Sequence, residues 1–322
     1  MIDCLTTNFT FFTRSMTTVI DDGDRELIIT TIRFTVGFFV ISANIFVLVM
    51  FLWARIHKKS FTYSLLLHQS VIDIIASCLF LVYFTNSAPN GVHGKIFCKT
   101  RSVFWSFMYA STYNHIIMTI GRYIAVIHPI TYREKIHNKS NKRYLVIPHI
   151  VGITVACHLA VLGDTNNAGK CYFNYSSDAS RVASGLFIFV ISWLIPFLII
   201  IVCYTFILKT LYYRVQPKCT EKSSHGKKYF TRNIRSITYM LLLVTIAFLF
   251  CWTPNHILYL FYTISKSFEY NSSLINEITV ILNAVNLMIN PIIYAFKFND
   301  FKLAVRKFYK EYFTNVMVAS RI

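Results

Sequence analysis

Acidic residues are scarce in this sequence. It has 14 Asp and Glu against 32 Lys and Arg, and charged residues make up only 14% of the chain. The net charge of +18 is of a size often associated with nucleic-acid binding. The basic residues are, however, scattered over the segments beside long apolar runs and form no single basic patch. The sequence therefore predicts no nucleic-acid partner.

Long apolar runs are what the sequence has in abundance. Hydrophobic residues make up 55% of the 322 residues, and the mean hydropathy is +0.50. A run of about 20 apolar residues crosses a bilayer as a helix. We therefore predict an all-α membrane protein that folds as a seven-transmembrane helix bundle. The predicted spans are 28–53, 62–85, 98–124, 144–163, 182–210, 236–264 and 275–297.

Two further absences limit the function. Residues 1–27 have no apolar core long enough for a cleavable signal peptide, so we expect the first span to direct insertion itself. The spans contain no metal-ligand cluster and no nucleophile motif, so no enzyme is predicted. A transporter or channel stays open as an alternative. Against it, only Asp73 and Arg122 are charged in the membrane interior, and no repeat is visible.

The distribution of charge predicts the orientation. If the N-terminus is outside, the inner segments hold 22 Lys and Arg against 4 Asp and Glu, whereas the outer segments hold 9 of each. The positive-inside rule then places the N-terminus outside the cell, in a multi-pass protein of the plasma membrane. Residues 1–27 become an extracellular tail and 28–298 the membrane domain. Glycosylation sequons at Asn8, Asn174 and Asn271 all lie on predicted outer segments.

Two of the eight cysteines lie on the predicted outer side, close to the spans. Cys98 begins the third span, and Cys171 lies between the fourth and fifth. Both face an oxidising environment, in which a disulfide persists. A bridge would tie the loop over the bundle and stabilise it by about 2–4 kcal/mol. The alternative is two free thiols.

Short motifs recur at definite places along the spans. Asp73 lies in the second span, the third ends with Gly121 to Tyr123, and Tyr204 lies in the fifth. The sixth carries Cys251 to Pro254, and the seventh carries Asn290 to Tyr294. In their order and spacing these motifs resemble those of the rhodopsin-like family of G protein-coupled receptors, and most of all its peptide-type members. The resemblance covers about residues 28–313.

The resemblance implies a ligand-activated switch that couples to a heterotrimeric G protein by outward movement of the sixth helix. Trp252 is implied to sense the ligand, Phe248 to repack below it, and Arg122 to contact the G protein. Without the resemblance, the same residues would suggest an aromatic core stripe, an interfacial arginine and simple proline kinks. The implied set is Arg122, Tyr123, Tyr204, Phe248, Trp252, Pro254, Asn290, Pro291 and Tyr294.

Asp73 is the only acidic residue deep inside a predicted span, since Glu277 lies at the outer end of the seventh. A lone carboxylate in hydrocarbon is costly, so it should face the bundle interior and have a partner there. The resemblance implies an allosteric Na⁺ held by Asp73, Ser111, Asn286 and Asn290, and no other cofactor. The alternative is a protonated aspartate within a structural hydrogen-bond network.

Two ligand classes are excluded by missing residues. Residues 98–122 contain no acid, which removes the partner that amine receptors offer an ammonium group. Ala284 stands where visual pigments carry the retinal lysine, so no Schiff base can form. The remaining pocket candidates are aromatic or basic and favour an extracellular peptide, with a lipid or small acid still open. They are Arg101, Trp105, Tyr109, His256 and Tyr259.

The sequence departs from the family pattern around Arg122. Gly121 replaces the acidic residue that usually precedes the arginine, and Ile234 is apolar where the sixth helix often offers another acid. Because Arg122 loses both usual partners, we predict raised signalling without ligand. His68 and His115 are also unusual. They could form substitute contacts between helices or simply pack.

Residues 299–313 predict a short amphipathic eighth helix on the inner leaflet. Phe301, Val305 and Phe308 can form an apolar face, with Phe313 at its end, while basic residues reach the lipid headgroups. An ordinary solvated basic helix is the alternative. Residues 314–322 are left as a short cytoplasmic tail.

Overall fold

The structure is a computed structural model that describes residues 22–137, 143–166, 168–215, 225–265 and 274–319. These residues are almost entirely helical. Six helices are long and apolar enough to cross a membrane. They are the first span Asp22–Trp53, second Phe61–Phe84, fourth Arg143–Leu162, fifth Asp178–Phe189 with Val190–Leu194 and Ile195–Val215, sixth His225–Ile264 and seventh Leu274–Lys297.

The third span differs from the other six in composition. It consists of Val92–Thr100 and Ser102–Ile127, and its longer part has 26 residues but is not apolar enough to count with them. A helix surrounded by other helices can carry polar residues, because its neighbours are protein rather than lipid. Its buried polar residues are Ser102, Ser111, Thr112, Asn114, His115, Thr119 and Arg122.

The spans pack as one bundle that closes between the first and the seventh. The first packs on the second, the sixth on the seventh and the seventh on the first, while the third contacts the second, fourth and fifth. Glycines permit the closest approaches. A Cβ at Gly152 would lie 2.3 Å from the Ser106 carbonyl oxygen, so the third and fourth spans can touch only without a side chain there. Outward-facing aromatics such as Phe38 and Phe250 are 64% and 72% exposed, as expected for side chains that face lipid.

Prolines interrupt the helical hydrogen bonding of the spans. In the fifth span a π-helical turn, Val190–Leu194, directly precedes Pro196. Such bulges accommodate a residue that cannot donate to the preceding turn. Pro254 and Pro291 lie inside the sixth and seventh helices, as the sequence predicts. Each weakens the helix at one point and leaves a place at which it can bend.

The two ends of the bundle are distinct. Cys98 and Cys171 lie at one end, called here the disulfide end, and Arg122 lies toward the other, called the arginine end. At the disulfide end, strands β1 (Gly163–Thr165) and β2 (Cys171–Phe173) form an antiparallel hairpin. Short helical segments join spans at the arginine end: Ile56–Lys58, Pro129–Tyr132 and the π-helical Arg133–His137.

The amphipathic helix is longer than predicted, because Asn299–Ala319 continues past residue 313. Phe301 is 2% exposed and belongs to the core, and the Phe308 ring lies 5.3 Å from that of Trp53 in the first span. On the opposite face, Leu303 and Tyr309 are more than half exposed. The predicted apolar face therefore docks on the bundle. The side chain of Phe313 lies outside the described residues.

Candidate functional site

A disulfide-anchored hairpin covers one end of the bundle. Cys98 and Cys171 form the predicted disulfide, with their Cα atoms 5.4 Å apart, so this prediction is confirmed. The bridge fixes β2 to the third span. Beside it, Lys95 Nζ lies 3.6 Å from Asp164 Oδ1. The hydrogen bond from the Thr165 amide, together with the Lys95 charge, holds the pKa of Asp164 below its ordinary value.

The segment of residues 163–166 and 168–177, called here the lid, reaches the sixth span through phenol groups. The Tyr175 and Tyr259 hydroxyls lie 3.0 Å apart, and Ser184 Oγ of the fifth span lies 3.1 Å from the Tyr259 hydroxyl. Burial, and then the neighbouring Tyr259 hydroxyl, raises the pKa of Tyr175 well above its ordinary value. The lid is thus hydrogen-bonded to the sixth span and covalently tied to the third span, and Ser184 joins the fifth span to the same Tyr259 hydroxyl. The sequon at Asn174 lies exposed on the lid, whereas Asn8 and Asn271 lie outside the described residues.

Beneath the lid lies a small aromatic cavity of about 20 Å³. Four of the five ligand residues predicted from the sequence line it together. The fifth, Arg101, does not: its guanidinium lies 5.2 Å from the centre of the Phe84 ring. Side chains from four spans and the lid thus meet at one point. The lining residues are Trp105, Tyr109, Leu159, Phe173, Ile188, Asn255, His256 and Tyr259.

Asn255 and Phe173 were missed by the sequence prediction. Asn255 stands beside the predicted His256, and its Nδ2 donates to Thr279 Oγ1 at 3.0 Å, which joins the sixth span to the seventh. Its place directly after Pro254 was a signal that could have found it. Phe173 had no comparable signal, because only the disulfide brings the lid over the cavity.

His256 is the chemically distinctive member of the cavity. It is 3% exposed, and its Nδ1 lies 3.0 Å from the Trp252 carbonyl oxygen. A carbonyl can only accept, so the ring proton of the neutral imidazole sits on Nδ1 and Nε2 is left as an acceptor. Nε2 is buried and has no hydrogen-bond partner among the described residues. A ligand that brings an N–H or O–H donor to this nitrogen would satisfy it.

A continuous stack of rings leads from the cavity towards the arginine end. The Trp252 ring lies 6.3 Å from that of Tyr109, 5.1 Å from that of His256 and 5.3 Å from that of Phe248. Phe248 in turn stacks on His115, at 5.7 Å. Trp252 and Phe248, the two predicted switch residues of the sixth helix, therefore connect the cavity to His115 of the third span.

His115 ends this stack in a hydrogen-bond cluster that joins three spans. Its Nε2 lies 2.7 Å from Thr245 Oγ1 of the sixth span, and the Thr245 hydroxyl lies 3.3 Å from the Tyr204 hydroxyl of the fifth. The prediction that His115 could form a contact between helices is borne out. His68 does the same elsewhere, because its Nε2 lies 3.0 Å from His149 Nε2 of the fourth span.

Arg122 lies further along the third span and is 6% exposed. Its Nε has no hydrogen-bond partner, and no carboxylate of the described residues forms an ion pair with it. The next residue, Tyr123, places its ring 6.2 Å from those of His128 and Phe206. The Tyr294 hydroxyl is also buried and without a partner among the described residues. The side chain of Ile234 lies outside them.

Asp73 is fully buried and hydrogen-bonded through both of its oxygens. Asn290 Nδ2 donates to Oδ2 at 2.9 Å, and Gln69 Nε2 donates to Oδ1 at 2.7 Å. Ser111 Oγ lies 3.5 Å from Oδ1. Asn286 is buried, but it forms no hydrogen bond to Asp73 among the described residues. The sequence analysis missed Gln69, although its position one helical turn before Asp73 put it within reach.

The group around Asp73 does not suit a sodium ion. Hard cations bind oxygen atoms and are repelled by N–H donors. Here the donors of two carboxamides, Gln69 and Asn290, point at the carboxylate. The predicted ligands Asp73, Ser111 and Asn290 do come together, but an amide nitrogen stands between the first two.

The sequence is similar to known proteins over most of its length. Residues 43–294 match the family described as 7 transmembrane receptor (rhodopsin family). The chain is also 26% identical, over 262 residues, to the Allatostatin-A receptor of Bombyx mori, and the alignment covers 77% of this chain and 70% of that receptor. The resemblance drawn from the motifs is therefore confirmed, and the family is one of receptors rather than of enzymes. The chain is a multi-pass membrane protein that belongs to the rhodopsin family of seven-transmembrane receptors.

Proposed function

We propose that this chain is a plasma-membrane receptor that binds an extracellular peptide and activates a heterotrimeric G protein by outward movement of the sixth helix. The observation that carries this proposal is the unbroken path of contacts from the cavity to the His115 cluster. It connects a place where a ligand can bind to the part of the sixth helix that would have to move.

The chemistry of the cavity favours a peptide. Its aromatic walls offer large contact areas with polar edges, and His256 Nε2 requires a donor. A peptide supplies both an apolar side chain and amide N–H groups. The cavity lining includes neither Lys nor Arg, which leaves a small acid without a charge partner there. The Bombyx mori relative is by its name a receptor for an allatostatin, and this supports the same ligand class.

The size of the cavity implies that binding changes the conformation. A volume of about 20 Å³ has room for about one water molecule. A peptide side chain can enter only if the walls part, so the ligand selects a state in which the spans have moved. The structure therefore suits the ligand-free, inactive receptor.

Movement at the cavity can be transmitted through Trp252 to the inner half of the sixth helix. A ligand that displaces this ring also displaces Phe248, which stacks on it, and so disturbs the contact between His115 and Thr245. The sixth helix can then pivot at Pro254. Its inner half would swing away from the third span and open access to Arg122 for a helix of the G protein.

The orientation follows from charge. The excess of Lys and Arg lies on the segments at the arginine end, which we place in the cytoplasm. The lid and the N-terminus are then extracellular, where a disulfide persists. The amphipathic helix lies against the lipids of the inner leaflet.

The proposal is tested by expressing the receptor in cells that carry biosensors for each G protein subtype and applying allatostatin-A and a peptide library. We expect at least one peptide to activate one subtype. Arg122→Ala should abolish that signal but keep peptide binding, whereas His256→Phe should weaken binding. Receptor at the cell surface that no peptide binds would contradict the ligand class. Peptide binding without any G protein signal would contradict the coupling.

A further inference from the structure

The hydrogen-bonded cluster around Asp73 bears on whether this receptor can bind sodium. We propose that the carboxamide of Gln69 takes the place between Asp73 and Ser111 that the family resemblance assigns to a sodium ion, so that this receptor is insensitive to sodium. The sodium site predicted from the sequence is the competing outcome.

The Gln69 amide nitrogen lies between the oxygens of Asp73 and Ser111. Gln69 Nε2 lies 2.7 Å from Asp73 Oδ1 and 2.6 Å from Ser111 Oγ. One amide nitrogen thus bridges the two oxygens that would be the first ligands of a cation. Hard cations bind oxygen at roughly 2–2.6 Å. An ion bound to both oxygens would overlap this nitrogen.

The hydrogen bonds around Gln69 determine which way its amide points. Its Oε1 accepts from Asn114 Nδ2 at 2.7 Å. The Asn114 orientation is in turn set by His68 Nδ1, 3.1 Å from its Oδ1, and by the Leu65 carbonyl, 3.2 Å from its Nδ2. Turning the Gln69 amide round would set its oxygen against the Asp73 carboxyl and its N–H₂ against that of Asn114. The donor side therefore faces Asp73.

Gln69 is also held firmly in place. It is 2% exposed and lies one turn from Asp73 on the same helix, so the spacing of the two backbones is fixed while the second span is intact. Leaving the cluster would strip a buried carboxamide of partners in the third span as well. On the other side of the carboxyl, Asn290 already donates to Oδ2. Both Asp73 oxygens are thus satisfied by protein donors.

The test uses sodium alone and does not depend on G protein coupling or on a peptide. Purified receptor in lipid nanodiscs is unfolded thermally in sodium chloride and in N-methyl-D-glucamine chloride of equal concentration. We expect the same midpoint for the natural receptor in both salts. A saturable stabilisation by sodium that Asp73→Asn abolishes would overturn the proposal.

A gain-of-site variant tests the cause. Gln69→Leu removes the amide but keeps Asp73, Ser111 and Asn290. We expect it to gain a sodium-specific rise in midpoint, roughly 2–4 °C at a tenfold excess over the dissociation constant, which a further Asp73→Asn removes. If Gln69→Leu remains insensitive, Gln69 is not what excludes sodium and the proposal fails. Should Gln69→Leu not fold, Gln69→Met replaces it, and the comparison of salts on the natural receptor still decides.

Discussion

The lid and the arginine end of the bundle treat their polar groups differently. In the lid, Tyr175 is hydrogen-bonded to Tyr259, which also contacts Ser184, and a disulfide holds the strand beside them. At the arginine end, Arg122 Nε and the Tyr294 hydroxyl are buried without a partner among the described residues. The lid is therefore held closed by hydrogen bonds and a disulfide that have already formed, whereas these two donors at the arginine end are unsatisfied.

This difference indicates where another conformation gains stability. An unpaired buried donor costs about 1–3 kcal/mol, and a movement that supplies a partner recovers that free energy. The buried Tyr175 hydroxyl of the lid has no such gain to make, because it is already paired with Tyr259. The arginine end does have such a gain to make, and the His115 cluster, the aromatic stack and helix packing oppose its opening.

Removing the disulfide should have the largest effect. We expect Cys98→Ser to destabilise the receptor by about 2–5 kcal/mol, because the lid then closes a long loop without a covalent tie. The measurement is the thermal midpoint of purified receptor, together with surface expression. Cys157→Ser, which alters an exposed free cysteine of the fourth span, is the matched control. Equal midpoints for the two variants would refute a structural role of the bridge.

Breaking the His115 cluster should release the sixth helix. His115→Leu keeps the volume but removes the hydrogen bond to Thr245. If the hydrogen bond stabilises only the inactive state, by about 1 kcal/mol, its removal raises the population of the active state roughly fivefold as long as that state is rare. Ligand-free signalling should rise by the same factor. The readout is biosensor activity at matched surface expression.

Thr245→Val checks that the hydrogen bond, rather than the imidazole ring, is responsible. It should raise basal signalling to a similar extent, and the double variant should add little to either single change, because one shared contact is lost. Fully additive effects, or a fall in basal signalling, would show that this contact does not hold the receptor off.

Supplying Arg122 with a charge partner should lower basal signalling. A Cβ at Gly121 would meet nothing nearer than Phe61 Cε1 at 4.0 Å, so a side chain can begin there without a clash. Gly121→Asp should reduce ligand-free activity a few-fold, because a carboxylate can pair with Arg122 in the inactive state. Gly121→Ala separates the effect of the charge from the gain in helix propensity that follows when glycine is replaced. Equal effects of the two variants would argue against an ion pair.

The smallest effect concerns acid. Because the folded pKa of Asp164 is lowered, its ionised form stabilises the lid above the ordinary value of 3.8, and this contribution is lost as the pH falls through the folded pKa. The protection factors of the lid amides, that is, the intrinsic exchange rates at the same pH divided by the observed rates, should therefore fall below about pH 4 in the natural receptor. Asp164→Asn should remove this pH dependence, and an unchanged profile in that variant would assign the effect to another group.

Much of the fold follows from local features of the sequence. Apolar composition is a property of each run by itself, so the predicted spans lie close to the helices, although the third is less apolar than the other six. Helix ends were less exact. The sixth helix begins at His225 rather than 236, and Asn299–Ala319 passes its predicted end, because polar helical turns outside the apolar core leave no signal in hydropathy.

The candidate site was predictable only in part. Trp105, Tyr109, His256 and Tyr259 do line one cavity, but Arg101 instead lies against Phe84, since the rotation of a helix about its own axis is set by its neighbours. The partner of His115 is 130 residues away, at Thr245. Nothing near either residue in the sequence points to the other.

The membrane-spanning architecture, the charge asymmetry behind the proposed orientation and the cysteines available to pair can all be read from the sequence, because apolar length, charge and cysteine placement act locally. Which polar groups meet inside the bundle depends on how the helices pack. Gln69 and Asp73 were both visible in the second span, yet the third and seventh spans had to pack against them before Ser111, Asn114 and Asn290 could complete the cluster. Buried polar groups take whichever partners the packing brings within hydrogen-bonding distance, and that choice depends on the whole fold.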